Sequence, residues 1–255
     1  MLASFHVGKH SGLQEGLSIL LAKSLFFGYS KCMTIIVVAN SKGGVGKSTI
    51  STHLAAWLHK QGHRVTLADC DAQMSSSTWI REAAPEIKVE RLESPDQIIE
   101  ELPQLDQDTD YVVADGPGSN TDTSRALLCR ADLAIVPCKA SMLEVRALAI
   151  ATRVVKQAQS VRNGPPEAVI VLNMVGKNYR LTSDMKEAAS ALQFPLASQP
   201  MILRQIYADA PGQGDVVWNM GSRAREASKE VERLFSEILP DAVSKKKIKR
   251  EAKSK

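Results

Sequence analysis

The stretch TIIVVANSKGGVGKST, Thr34–Thr49, decides the fold of this chain. Ile35, Ile36, Val37 and Val38 form an unbroken apolar, β-branched run, the pattern of a buried strand. The run breaks into Lys42-Gly43-Gly44-Val45-Gly46-Lys47-Ser48-Thr49, and a helical pattern follows. Glycines without a Cβ let backbone N–H groups turn inward and approach a polyphosphate closely. A helix beginning near Lys47 adds its positive N-terminal end to the same place. Residues Gly43, Gly44, Val45, Gly46, Lys47, Ser48 and Thr49 are therefore predicted to bind a nucleotide. Lys47 would reach the β/γ-phosphates, and the Ser48 hydroxyl would hold Mg²⁺. A glycine-rich turn with no ligand would not need strand, glycines, lysine and serine in one register.

The usual spacing of such a loop, G-x-x-x-x-G-K-[ST], asks for glycine at position 41, where this chain has Ser41. What it has instead is a second lysine, Lys42. The box K-G-G-V-G-K-S resembles the deviant Walker A box of the ParA/MinD ATPase family. The resemblance implies a P-loop NTPase, with ATP and Mg²⁺ as cofactors, in which Lys42 reaches across a dimer interface to the partner's ATP. A lysine five residues before Lys47 cannot easily share the same phosphates in cis. It could instead place its charge on an oxyanion developing in the other subunit, as a trans arginine finger does.

At 255 residues and 44% hydrophobic, the chain can bury one substantial core, the size of one α/β domain. Cys32, Cys70, Cys129 and Cys138 show no C-x-x-C or other metal spacing, which favours a reduced cytosolic protein with its cysteines in the core. The charge is uneven. Ser244–Lys255 carries Lys245, Lys246, Lys247, Lys249, Arg250, Lys253 and Lys255 against Glu251 alone. With that tail and a mildly basic leader set aside, the rest is acidic, a distribution that points to an acidic partner such as nucleic acid or a membrane surface.

Further along, the strand at Arg64–Ala68 delivers Asp69-Cys70-Asp71-Ala72-Gln73. This resembles the family's D-x-D-P-Q switch, with Ala72 in place of the proline. A carboxylate at a strand's C-terminal end beside a P-loop is where water would be positioned for attack on the γ-phosphate. That role falls to Asp71, with Asp69 closer to the metal; capping of the helix that starts near Met74 would explain one aspartate but not both. Asp110–Asp115 is a third strand, followed by Gly116-Pro117-Gly118. It looks like a Walker B strand and second switch, Asp115 holding the magnesium shell through water. Strands over Ala131–Pro137 and Ala168–Val175 alternate with helices over Leu143–Ser160 and Arg180–Leu192. The whole predicts a doubly wound, mostly parallel sheet flanked by helices. The resemblance assigns Asn173 to the adenine, and Pro200–Arg204 matches the segment that flanks the base.

Residues 33–240 form the expected ATPase domain. Within residues 1–32 the apolar stretch Gly16–Gly28 is interrupted by Lys23 and too short to span a bilayer, and the whole segment is expected to be a poorly ordered extension or to follow an unused upstream start. The rival is a short amphipathic helix. Residues 241–255 form the basic tail. The last helix, Ser222–Leu239, sets Arg223, Arg225, Lys229 and Arg233 along one side. Relatives that segregate DNA bind it near this helix and near the arginine after the last strand. Arg204, Arg223 and Arg225 are thus candidate DNA contacts, and Lys245, Lys246, Lys247, Lys249 and Arg250 a candidate electrostatic clamp.

Within the family, the cysteines of the nitrogenase iron protein, the C-x-x-C of iron–sulfur scaffolds, the tyrosine cluster of bacterial kinases and an apolar C-terminal membrane helix have no counterpart here. The resemblance then implies a ParA-type partition ATPase in its short form, cytoplasmic and nucleoid-associated. It would dimerise on ATP, bind DNA nonspecifically and release it when a ParB-like adaptor stimulates hydrolysis, with no membrane partner. The alternatives are a ParA-like protein positioning a chemoreceptor cluster or microcompartment, or a small-molecule P-loop enzyme.

Overall fold

The computed structural model describes residues 34–105, 109–119, 121–139, 142–176 and 183–243. Six strands are all parallel: β1 (Thr34–Val38), β2 (Val65–Asp69), β3 (Lys88–Arg91), β4 (Tyr111–Asp115), β5 (Leu133–Lys139) and β6 (Glu167–Asn173). Their order is β3-β2-β4-β1-β5-β6. Eight α-helices accompany them among the described residues. They are α1 (Lys47–Lys60), α2 (Ser75–Ala83), α3 (Pro95–Glu101), α4 (Asp122–Arg130), α5 (Met142–Arg162), α6 (Ser183–Leu192), α7 (Gln205–Gly212) and α8 (Arg225–Ile238).

Because side chains alternate along a strand, β1 feeds two cores. Ile36 and Val38 join Ile50, Leu54 and Trp57 of α1 and Val231, Leu234 and Phe235 of α8 on one face. Ile35 and Val37 join Ile98 of α3, Leu127 of α4 and Leu148 and Val155 of α5 on the other. Each such fully buried apolar side chain contributes about 1.5–3 kcal/mol by leaving water. The chain leaves β1 toward one layer and β4 toward the other, so a crevice opens at the C-terminal ends of these neighbouring strands.

Local signals set the boundaries. Ser94 accepts from the Gln97 amide at 3.2 Å while Gln97 Oε1 accepts from the Ser94 amide at 3.3 Å, a capping box ahead of Pro95. Thr121 caps α4 through the Ser124 amide. Pro137 is tolerated in β5 because β1 pairs with that strand only as far as Ile135. The expected elements are present, with shifted ends. β2 runs to Asp69 rather than Ala68, and β6 stops at Asn173, Val175 making only an isolated bridge to Ile202. The last helix opens with a 3₁₀ turn at Ser222–Ala224 before α8 proper. Expectations for residues 1–32, the Arg180 end of α6 and Ser244–Lys255 fall on residues outside those described. Among the described residues no helix is long and apolar enough to cross a membrane.

Candidate functional site

Between β1 and α1 the chain passes through Gly44 at φ +70° and Gly46 at φ +89°. These are left-handed conformations that a side chain would strain. At Gly46 there is also no room, since a Cβ would fall 2.1 Å from Asn173 Nδ2. The loop is pinned from inside. Asn40, buried past the end of β1, donates from Nδ2 to the Pro137 carbonyl at 2.7 Å and accepts from the Lys42 amide at 2.9 Å. Lys47 is only 6% exposed, and its Nζ donates to the Lys42 carbonyl at 3.3 Å. Burial pushes the Lys47 pKa down, while Asp115 and Asp71 pull it back toward the charged form. Gly118 lies across the loop, its would-be Cβ 3.4 Å from Gly43 Cα and 3.5 Å from Lys47 Nζ. The Lys42 residue itself is exposed at the rim.

The three aspartates have different jobs. Asp115 ends β4, fully buried, with Oδ1 accepting from Ser51 Oγ at 3.0 Å. Its Oδ2 is buried without a hydrogen-bond partner. Burial raises its pKa to about 6, against the lowering effect of the Ser48, Ser76 and Ser51 hydroxyls. An orphaned carboxylate oxygen near the Ser48 hydroxyl suits a hard cation that takes its remaining ligands from phosphate and water. No three His, Cys, Asp or Glu side chains among the described residues could hold a metal by themselves.

Asp69, expected closer to the metal, is buried and lines the cleft. Its Oδ1 accepts from the Asp71 amide at 3.1 Å and its Oδ2 from the Ser77 amide at 2.8 Å. It caps α2 with one bond to each oxygen, whereas Asp115 keeps an oxygen with no such partner. Asp71, half-buried on the cleft wall, spends one oxygen on the Gln73 amide at 3.0 Å and lies close enough to act on Lys47.

Asn173, expected to contact the base, is bonded to the loop. Its Nδ2 donates to the Val45 carbonyl at 2.8 Å and its Oδ1 accepts from the Met174 amide at 2.8 Å, so the side chain clamps the loop. Met174, at φ +54°, faces the cleft in its place. The cleft encloses about 1190 Å³ between the loop, the Asp69–Ser75 segment, Pro117–Ser119, Met174 and Pro211.

Among the candidate DNA contacts, Arg204 is half-buried and paired with Glu230. Its Nε donates to Glu230 Oε1 at 3.0 Å and its Nη2 reaches the same oxygen, while Tyr207 hydroxyl approaches Oε2 at 3.4 Å. Arg223 is exposed, donating to Gln213 Oε1 at 2.9 Å, and Arg225 is exposed on α8. Arg225, Lys229 and Arg233 do share a solvent face, but Glu226 pairs with Lys229 at 3.0 Å and lowers its net charge. Lys245, Lys246, Lys247, Lys249 and Arg250 lie outside the described residues.

The sequence reading gave no role to two residues that hold the site's groups in place, Asn40 and Ser51. Asn40 stands two residues before Lys42, and Ser51 follows the P-loop serine by about one helical turn. That spacing was the available signal.

Residues 36–217 match a family model described as the CobQ/CobB/MinD/ParA nucleotide binding domain. The chain is 30% identical to the maintenance of carboxysome distribution protein A of Halothiobacillus neapolitanus, over 80% of this chain and 96% of that protein. It is 24% identical to protein ParA of Rhizobium radiobacter, over 84% of this chain and 97% of that one. The septum site-determining protein MinD of Pyrococcus horikoshii, solved with Mg-ADP, superposes with a TM-score of 0.66 at 16% identity, covering 84% of this chain and 98% of that chain.

Proposed function

The chain belongs to the CobQ/CobB/MinD/ParA nucleotide-binding family, and from that premise we propose that it is a Mg²⁺-dependent ATPase of the ParA type, active as an ATP-bound dimer that positions a cargo. One observation carries this reading: a buried lysine, Lys47, closes the P-loop while Lys42, five residues earlier, is exposed at the rim of the same cleft.

In this reading the backbone of Gly43–Thr49 and the Lys47 ammonium bind the β/γ-phosphates. Asp115 and the Ser48 hydroxyl hold Mg²⁺, which when bound neutralises charge on the phosphates. Asp71 orients the attacking water, and Lys42 of each subunit stabilises charge at the site of the other. Gly118, lying over Gly43 and Lys47, belongs to the segment that would respond to the γ-phosphate. Asn173 holds the Val45 carbonyl and keeps the cradle open.

The similarity to a carboxysome distribution protein favours a protein-bodied cargo, with nonspecific DNA as the track. Partition of a plasmid or chromosome with a ParB-like adaptor is the second reading, favoured by the similarity to ParA. Both require DNA contacts, for which Arg223, Arg225 and the lysines of Ser244–Lys255 remain the candidates. The test is binding to a random-sequence duplex with ATP, with ADP, and for Lys42→Ala, across a salt series. Binding with ATP alone, lost in Lys42→Ala and falling steeply with salt, is expected. Absence of binding in every nucleotide state would overturn both cargo readings and favour a small-molecule enzyme.

A further inference from the structure

His53, one turn along α1 from Thr49, is fully buried. Its Nδ1 lies 2.7 Å from the Thr49 carbonyl and its Nε2 3.3 Å from the Val217 amide nitrogen. An amide N–H can only donate, so Nε2 accepts, the ring proton sits on Nδ1, and the Thr49 carbonyl receives it. Burial lowers the His53 pKa to about 4, which keeps this neutral tautomer in place at neutral pH. The ring is boxed edge-on by Trp79, Tyr207 and Trp218, at centroid distances of 5.2, 5.7 and 5.8 Å.

Trp79 matters because it belongs to α2, the helix that follows Asp71, and lines the nucleotide cleft. Its indole N–H donates to the Asp215 carbonyl at 2.8 Å, two residues before Val217. Two walls of the cleft are therefore moored to one short segment: the P-loop helix through His53 and the switch helix through Trp79. That segment is itself braced. Asp215 Oδ1 accepts from the Val216 amide and from Asn219 Nδ2, both at 2.7 Å, and Ser228 of α8 donates to the Val217 carbonyl at 3.2 Å. A histidine that only filled space would not need backbone groups of two separate elements converging on its two nitrogens.

We propose that His53 is a positioning residue for the nucleotide site: by bridging Thr49 to Val217 it fixes the P-loop helix relative to the cleft wall carried by Trp79. The proposal rests on the nucleotide-binding reading above.

Asparagine and glutamine separate the two halves of the bridge. The amide of His53→Asn can occupy the place of Nδ1 and keep the Thr49 bond, whereas that of His53→Gln can reach the place of Nε2 and keep the Val217 bond. The dissociation constant for Mg–ADP, measured by titration calorimetry on the full chain, is expected to rise about tenfold in His53→Asn and to return most of the way in His53→Gln. Wild-type affinity in both variants, whatever happens to their melting temperatures, would leave His53 as core packing and overturn the proposal. Equal weakening in both would overturn it too, because the Val217 bond would then carry nothing. Should neither variant fold, Trp79→Phe decides: it keeps an aromatic ring on the cleft and removes the N–H to Asp215 with the smaller ring of the indole. A several-fold loss supports the mooring and unchanged affinity overturns it. Failure of the wild type to bind Mg–ADP would instead bring down the nucleotide reading on which the proposal stands.

Discussion

Asp115 and His53 are ionisable side chains buried for opposite reasons, and each makes a measurable demand on stability. Asp115 is a carboxylate held in a dry site with one oxygen unpartnered. Burial pushes the acid up and, outweighing the pull of Asp115 and Asp71, pushes the Lys47 ammonium down. Replacing it by asparagine removes a buried charge that nothing in the unliganded chain fully compensates. Asp115→Asn is expected to stabilise the nucleotide-free protein by about 1–2 kcal/mol in urea melts while weakening Mg–ADP binding at least tenfold. A variant that is destabilised, or that binds Mg–ADP normally, would remove Asp115 from the metal site. His53 works the other way on pH. The unfolded chain takes up a proton near its ordinary value of 6.5, whereas the folded chain refuses it until about 4. The stabilisation is whole above pH 6.5 and lost as pH falls toward 4, in total about 3 kcal/mol. The charged and titratable groups nearest the ring are few: Tyr207 faces it directly, with its hydroxyl turned to Glu230. Melts of the wild type and His53→Gln between pH 4.5 and 7 should show the steeper pH dependence in the wild type; parallel curves would contradict the burial argument.

The elements that hold the site are the P-loop, the end of β6 and the packing of α8. If Asn173 clamps the Val45 carbonyl, its loss should loosen the phosphate cradle for any base. Asn173→Ala is therefore expected to weaken ADP and GDP binding by the same factor, about five- to tenfold for one lost buried hydrogen bond. A loss confined to ADP would restore the base contact that the sequence resemblance assigned to Asn173. In α8, Phe235 is fully buried with its ring 5.7 Å from that of Trp57 in α1, so Phe235→Ala should cost about 3–5 kcal/mol in urea unfolding. These elements were legible in the sequence to unequal degrees. The apolar runs at Ile35–Val38 and Val112–Ala114 and the glycines after them announced strands and loop, because a strand buried on both faces must be apolar throughout. What could not be read was which partner a polar side chain would choose. Asp69, Asn173 and Arg204 carry the residue types of metal ligand, base contact and DNA contact. Each also satisfies a backbone group or a carboxylate: Asp69 close by at Ser77, Asn173 and Arg204 in remote parts of the chain. Only the three-dimensional meeting of Asn173 with Val45, or of Arg204 with Glu230, decides between those uses.

At the scale of the whole molecule the question is why a family member would keep two lysines in so short a loop. Lys47 is buried, directed at the Lys42 carbonyl, and sits under Gly118. The Lys42 backbone is fixed from both sides, its amide donating to Asn40 and its carbonyl receiving Lys47, while the residue itself remains exposed at the mouth of the cleft. In the proposed dimer a cation on this loop, tied to β5 through Asn40, would meet the phosphates of a facing copy rather than those that Lys47 would hold. The dimer it would form is conditional on the γ-phosphate, since only the triphosphate extends charge toward the rim. Sedimentation velocity with Mg²⁺ and a slowly hydrolysed ATP analogue should therefore give a dimer for the wild type and a monomer for Lys42→Ala, with ADP giving monomers for both. Because the contact is between opposite charges near solvent, raising the salt should shift the wild type toward monomer. Single-turnover hydrolysis by Lys42→Ala should fall by at least tenfold while Mg–ADP affinity stays within about twofold, because a trans charge acts on the transition state of the neighbour and not on ground-state binding in its own loop. A Lys42→Ala protein that still dimerises on the analogue and hydrolyses ATP at the wild-type rate would show that Lys42 serves its own loop, and the face-to-face dimer would lose its main physical support.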